Sequence, residues 1–141
     1  MSILAIYEKI QELAAASSGI ASAPTVVPAS LNSVSLPMAI CIPGEADWGP
    51  QAVGLKRHDR TYRILVYVKP LPQGIGIDEG FQEVLPILQA MGDTFNGNLS
   101  LDNTVDHIRD IHDSGVRGDM EYAGFTYHGF ELSFEVTDKT T

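Results

Sequence analysis

At 141 residues with 44% apolar side chains, the chain has the length of one ordinary domain and can bury a core without metal or disulfide support. Its formal net charge of −9, from 18 Asp and Glu against 9 Lys and Arg, excludes general attraction to DNA or an anionic membrane, and no apolar run reaches the roughly 20 residues of a membrane helix. The lone Cys41 excludes an internal disulfide and a Cys-rich metal site, and Glu8, Lys9 and Glu12 interrupt the apolar run a signal peptide would need, so the expectation is a soluble protein of the cytoplasm in which it is made.

Residues 2–16 place Ile3, Ile6, Tyr7, Ile10, Leu13 and Ala14 at helical spacing, with Ser2 as N-cap and Gly19 as terminator. From Ser17 to Pro37 the chain is small, Ser-rich and almost uncharged, with prolines at 24, 28 and 37. A segment this long is either a surface loop packed on its own domain or a projecting arm that binds a partner, and Val26, Val27, Leu31 and Val34 suit either role. The run "LPMAICIPG" (36–44) reads as a short buried strand, and "EADWGPQAVG" after it as a loop. In "RTYRILVYVKP", Tyr62, Ile64, Val66 and Val68 share one side of a strand, Arg63, Leu65, Tyr67 and Lys69 the other, and Pro70 and Pro72 end it.

Asp78 caps a second helix with Phe81, Val84, Leu85, Leu88 and Met91 at helical spacing, and Pro86 inside it predicts a kink near Gln82 rather than two elements. "FNGNLSLDN" is a turn-rich loop. The stretch 104–112 carries two periods: Leu101, Val105, Ile108 and His112 suit a helix, while Val105, His107, Arg109 and Ile111 alternate as in a strand. The last segment is a strand with Phe130, Leu132, Phe134 and Val136 inward. Phe125 and Tyr127 sit on the opposite parity, which predicts a β-bulge at Gly129. The expected fold is α+β, one domain over 1–141, with an antiparallel or mixed sheet, two main helices on one of its faces and a long N-terminal loop or arm at 17–37.

Catalytic patterns are sparse. "PQGIGIDEG" lacks both the Lys of a P-loop and the glycine spacing of a dinucleotide site. Asp106, His107, Asp110, His112 and Asp113 crowd together as imidazole and carboxylate groups that could hold a divalent ion, but a strand splits them between faces and a helix makes the histidines diverge, so a solvated acidic surface is the expectation. Cys41 and His58 could act as nucleophile and base only if the fold joined them, and His128 beside Gly129 reads as a hairpin residue. No enzyme, metal or cofactor is implied.

The order of an opening helix, a strand pair ending in "RTYRILVYVKP", the linker "PLPQGIG", the helix "DEGFQEVLPILQAM" and the closing strand "YAGFTYHGFELSFEV" resembles the tail terminator family of long-tailed bacteriophages across nearly the whole chain. The resemblance rests on element order and strand texture. It implies an α+β subunit that assembles into a hexameric ring at the head-proximal end of the tail. There it would cap the last ring of the tail tube protein, stop polymerisation and present a surface to head-completion proteins. It also favours a strand for 104–112.

Charge is segregated along the chain. Lys56, Arg57, Arg60, Arg63 and Lys69 stand within fourteen positions with Asp59 as their only acid, whereas 78–121 holds ten acids and two bases. In a head-to-tail ring, Lys56, Arg57, Arg60 and Arg63, with Val26, Val27 and Leu31 of the arm, become candidate subunit-interface residues. Asp102, Asp106, Asp110 and Asp113 become a candidate acidic lumen or partner surface that lets genome DNA pass without binding it. Alternatively, the two charge groups pair within one subunit. Another head-tail connector subunit and a small stand-alone acidic binding protein are the other readings.

Overall fold

The computed structural model describes residues 3–24, 36–52, 55–70 and 78–140, within which two helices and five strands form one α+β domain. In chain order these are α1 (Ile3–Ala16), β1 (Met38–Ala52), β2 (Leu55–Pro70), α2 (Asp78–Asn96), β3 (His107–Asp113), β4 (Arg117–Tyr122) and β5 (Phe125–Thr140). Every ladder is antiparallel, in the order β1-β2-β5-β3, with β4 also on β5. β5 is the spine of the sheet: β2 runs along one side of it, while β4 holds the first half of the other side and β3 the second half.

Alternation along β2 and β5 builds two unlike faces. Tyr62, Ile64, Val66 and Val68 join Phe130, Leu132, Phe134 and Val136 in the main core, beneath Ile6, Ile10 and Ala14 of α1 and Val84, Ile87, Met91 and Phe95 of α2. Both helices therefore lie on one face. On the other, Met38, Ile40, Tyr67, Met120 and Tyr127 form a smaller core to which, among the described residues, no helix residue belongs. Tyr67 is its hub, edge-on to Tyr122 at 5.4 Å and to Tyr127 at 5.7 Å.

This second core corrects the expected bulge in β5. Tyr127 has the parity of the second face and is buried there, so β5 needs no switch at Gly129. The irregularity lies on β2, where Tyr67 and Lys69 face Gly129 and His128 and Val68 is the extra residue. His128 is likewise not a hairpin residue: it is inside β5 and 1% exposed. The hairpin turns at Ala123 and Gly124, with φ of 52° and 85° between the paired Tyr122 and Phe125, the geometry a two-residue loop needs to match strand twist.

Two more expectations are corrected. Residues 45–52 are not a loop: β1 continues through them opposite β2, with irregularities after Pro43 and Pro50. β1 is an edge strand, so these prolines remove no ladder bond that a further strand would need. The stretch 107–113, whose two periods left helix and strand open, is the strand that the resemblance favoured. Asp110, with φ of 55°, sits in its bulge, so Ile108 before it and Ile111 after it both reach the core, while His107 is exposed. On α2, which is a single element through Pro86, Val84, Ile87, Met91 and Phe95 turn inward and Leu88 packs beside them, whereas Leu85 is 43% exposed. That i, i+3, i+7, i+11 stripe turns one side of α2 to the sheet, and Leu85 falls outside it. The side chain of Phe81 and residue Ser2 lie outside the described residues.

Beyond α1, Gly19 takes φ of 90° and ends the helix as expected. The first part of the 17–37 segment then lies on its own domain. Ile20 and Ala23 pack on the main core, and Ser22 bridges Met38 in parallel, accepting the Ala39 amide at 3.0 Å. Val26, Val27, Leu31 and Val34 lie outside the described residues.

The upper edge of β1 is closed by a side chain. Gln11 of α1, 1% exposed, accepts the Cys41 amide on Oε1 at 2.8 Å and donates from Nε2 to the Pro24 carbonyl at 2.6 Å and the Ala39 carbonyl at 3.5 Å. A side-chain amide carries one acceptor and one donor group, as a backbone peptide does, so Gln11 stands where the next strand would pair.

Candidate functional site

The basic residues singled out in the sequence fall on β2, and the structure gives them different tasks. Arg60 donates from Nη1 to the Gly44 carbonyl at 2.8 Å and lies over the Trp48 ring at 5.9 Å. Arg63 reaches Glu131 of β5 at 3.3 Å, and Lys69 reaches Glu83 of α2 at 3.2 Å. Arg63 and Lys69 thus have carboxylate partners inside the subunit, while Arg60 fastens β2 to the bulge of β1. Lys56 and Arg57 are placed by register alone, opposite Pro50 and Gly49 of β1 and opposite Thr140 and Lys139 of β5.

The acidic candidates are set apart from them. Asp102 sits in the turn after α2 with φ of 56°, hydrogen bonded through its backbone and carboxylate to Asn98 and 3.6 Å from Lys9. Asp110 and Asp113 are exposed on β3 and Asp106 just before it, on the opposite side of the sheet from β1, and Asp113 accepts the Gly115 amide at 2.8 Å. Asp106, Asp110 and Asp113 therefore share one outer strand and its approach, while the basic stretch lies across β5 from them. Among the described residues no three His, Cys, Asp or Glu side chains could hold a metal ion.

Cys41 and His58 are not brought together. Cys41 pairs with Ile64 and His58 with Trp48, a separation of seven β1 residues, or about 23 Å of strand. Burial pushes the Cys41 thiol up to about 12 from an ordinary value of 9.0. Its proton is held in the folded state beyond the unfolded value, so the stability linked to it is complete below pH 9 and lost as pH rises toward 12. We expect Cys41 to resist a water-soluble thiol reagent at pH 8 in the native protein and to react fully once denatured. Rapid native labelling would show that the α1 and β1 packing opens readily.

Charged side chains of the helix-free face cross-link the strands. Arg109 of β3 bonds Glu135 of β5 and lies 3.7 Å from Asp59 of β2, which also accepts the Thr137 hydroxyl at 2.8 Å. Arg117 of β4 bonds Asp119 at 2.9 Å and reaches Glu131 at 3.6 Å; it holds the Asp119 carboxyl below its ordinary value. Exposed pairs of this kind add little stability one at a time, and their arrangement fixes strand register more than it strengthens the fold.

Where β1 and β2 leave the helices behind, a cleft of about 530 Å³ opens, with Glu45, Asp47, Trp48, Asp59, Arg60 and Glu135 in its lining. Trp48 is 67% exposed, and no ion pair among the described residues reaches Glu45 or Asp47. Sequence reasoning missed this site because it read 45–54 as a loop. The signal that could have found it is the basic run 56–60, which continues the alternation of β2 and requires a paired strand opposite. A second, shallower recess of about 420 Å³ lies between the start of α1 and β1, lined by Ile3, Leu4, Tyr7 and Pro43. No family model and no curated protein matches this chain.

Proposed function

We propose that the chain is a ring-forming structural subunit that ends a phage tail tube, in the manner of the tail terminators whose element order it resembles. The observation that carries this reading is the reach of the β1–β2 hairpin. Its strands of 15 and 16 residues span about 50 Å, against about 21 Å for the 14-residue α1 that packs on them. Among the described residues, those that β2 commits to the core begin at Tyr62, and Asp59, Arg60 and Thr61 before it lie outside the core cluster and offer contact surface. A ring subunit uses such an extension to reach its neighbours or the tube below.

The charge layout supports the same reading. β3 and its approach expose Asp106, Asp110 and Asp113 along one outer strand, a lining that repels phosphate and lets DNA slide. The partners of the subunit are then copies of itself, the tail tube protein and the head-completion proteins, and its place is the head-proximal end of the virion tail. The role needs geometry rather than a catalytic group or a cofactor. Electron microscopy of tails assembled with and without the protein tests it. Uniform tubes in its presence and tubes of uncontrolled length in its absence are the expected pair of results; equal length distributions would exclude termination.

A further inference from the structure

We infer that the recess between α1 and β1 is a docking site for a different protein, and that it takes an apolar side chain flanked by lysine or arginine. Among the described residues it is lined by Ile3, Leu4 and Tyr7 at the start of α1 and by Pro43 on β1. Its origin is the mismatch in length between helix and strand. Ile6, Ile10 and Ala14 cover Ala39 and Cys41 in the main core, and α1 begins one turn before Ile6, so Pro43, next on that side of β1, is left beside the helix start. Leu4 is 63% exposed and Pro43 is exposed as well, so both walls are open to a partner. At about 420 Å³ the recess has the size for one large side chain, the anchor that carries most of the energy in a protein contact.

Charge decides the occupant. Glu8 stands one turn after Leu4, and because helical side chains lean toward the N-terminus it is directed back over that turn. Glu45 follows Pro43 by two residues, about 7 Å of strand. Both are exposed, and among the described residues no ion pair reaches either. Lys9, the one cation of α1, is turned instead to Glu12 and Asp102. The N-terminus of α1 contributes the equivalent of about half a positive charge, which two full carboxylates outweigh. A partner that seats an apolar side chain here brings its flanking residues against these acids; basic flanks are attracted and acidic ones rejected.

The same rule excludes a second copy of this chain, whose net charge is −9. Among the described residues, its other exposed large apolar side chains lack a cation to offer. Trp48 follows Asp47, and the Arg60 beside it is bonded to Gly44. Leu85 lies two residues from Glu83, which already holds Lys69. Leu99 is followed in its turn by Asp102, and Phe125 stands beside the Glu121–Thr126 pair of its hairpin. The occupant is therefore another protein with a basic, apolar segment. This adds a partner to the ring subunit proposed above and does not depend on that role.

The probe is a capped synthetic peptide with one phenylalanine between pairs of lysines, titrated at low salt into the full chain and followed by the amide resonances of the protein. Two control peptides separate the contributions, one with alanine for the phenylalanine and one with glutamates for the lysines. The first peptide is expected to shift the amides of Leu4, Tyr7, Gly44 and Glu45 and to bind at least about tenfold more tightly than either control. Leu4→Ser, a change at an exposed position, should bring its affinity down to that of the alanine control. Glu8→Lys combined with Glu45→Lys should reverse the preference toward the glutamate peptide. An alanine control that binds as tightly as the phenylalanine peptide would overturn the apolar anchor, and shifts that survive Leu4→Ser would place the contact elsewhere. Absence of shifts in the wild type would overturn the site outright. Circular dichroism checks the variants; if one does not fold, Leu4→Ala and Glu8→Gln replace it, each expected to weaken binding, and no change in either would also overturn the site. Tube length, read by microscopy, is a separate measurement, so the two readings fail independently.

Discussion

Gly129→Ala should cost at least about 4 kcal/mol, a large part of the 5–15 kcal/mol that holds a domain of this size together. A Cβ on Gly129 would fall well inside contact distance of the Val66 carbonyl oxygen, 3.1 Å from the Val66 carbonyl carbon and 2.9 Å from the Met120 sulfur. The methionine can swing aside, but the carbonyl cannot. Val66 pairs with Phe130 and Tyr67 with Gly129 in the longest ladder of the sheet, and both residues of β2 are buried, one in each core. Relief therefore requires β2 and β5 to part where the main core and the tyrosine cluster meet back to back. Urea denaturation with an unchanged m-value is the measurement. A loss below about 1 kcal/mol would mean that the two strands are not in close register at this point.

Gln11→Leu should cost about 3 kcal/mol although it adds apolar surface to a buried position. The substitution leaves an apolar side chain one atom shorter and removes the hydrogen bonds to the Cys41 amide and the Pro24 carbonyl, each buried or half-buried polar group then being left without its partner at about 1–3 kcal/mol. Hydrogen exchange localises the effect: the Cys41 amide should lose protection by more than the global loss of stability accounts for. Gln11→Glu separates donor from acceptor. Its carboxylate can still accept the Cys41 amide but faces the Pro24 and Ala39 carbonyls without a proton, so the carboxyl should hold its proton above the ordinary range. The stability it retains is then present at low pH and lost as pH rises. A Gln11→Leu protein as stable as the wild type would show that the β1 edge is closed by the Ser22 bridge alone.

The two predictions concern residues of unequal legibility. Gly129 was noticed in the sequence, but for a parity change in β5 that does not occur; its actual constraint is a close approach of β2, which no property of β5 encodes. Gln11 was not noticed, since a polar residue on an amphipathic helix is ordinarily solvated. It is buried because α1 crosses the open edge of β1 there, and only the joining of residues 11, 24, 39 and 41 reveals an amide with three partners.

The candidate site divides along the same line. The basic stretch was legible as a composition, yet its members were not equivalent. Arg60 is a fastening of the hairpin and Arg63 an internal partner of Glu131, while Lys56 and Arg57 lie at the Ala52–Leu55 end of the β1–β2 ladder. Glu45, Asp47 and Trp48 went unseen because prolines at 43 and 50 and glycines at 44 and 49 argue for a loop wherever a segment is judged by its own residues.

What the sequence by itself determined are the features one segment carries alone. These are the amphipathic stripe of α1, the two-sided alternation of β2 around Tyr62 to Lys69, the inward row Phe130 to Val136 and the α+β class that their order implies. Each depends on a period of side chains meeting a common core, and a period is local information. The tertiary structure alone decided the rest. It extended β1 through residues 45–52 and chose strand over helix for 107–113. It turned Leu85 outward and Phe95 inward, and gave the helix-free face a core of its own. The physical reason is common to these cases. A backbone group is satisfied by whatever donor or acceptor stands opposite it, and a face is buried by whatever element lies over it. In an antiparallel sheet spun around a C-terminal strand, those partners come from segments tens of residues away.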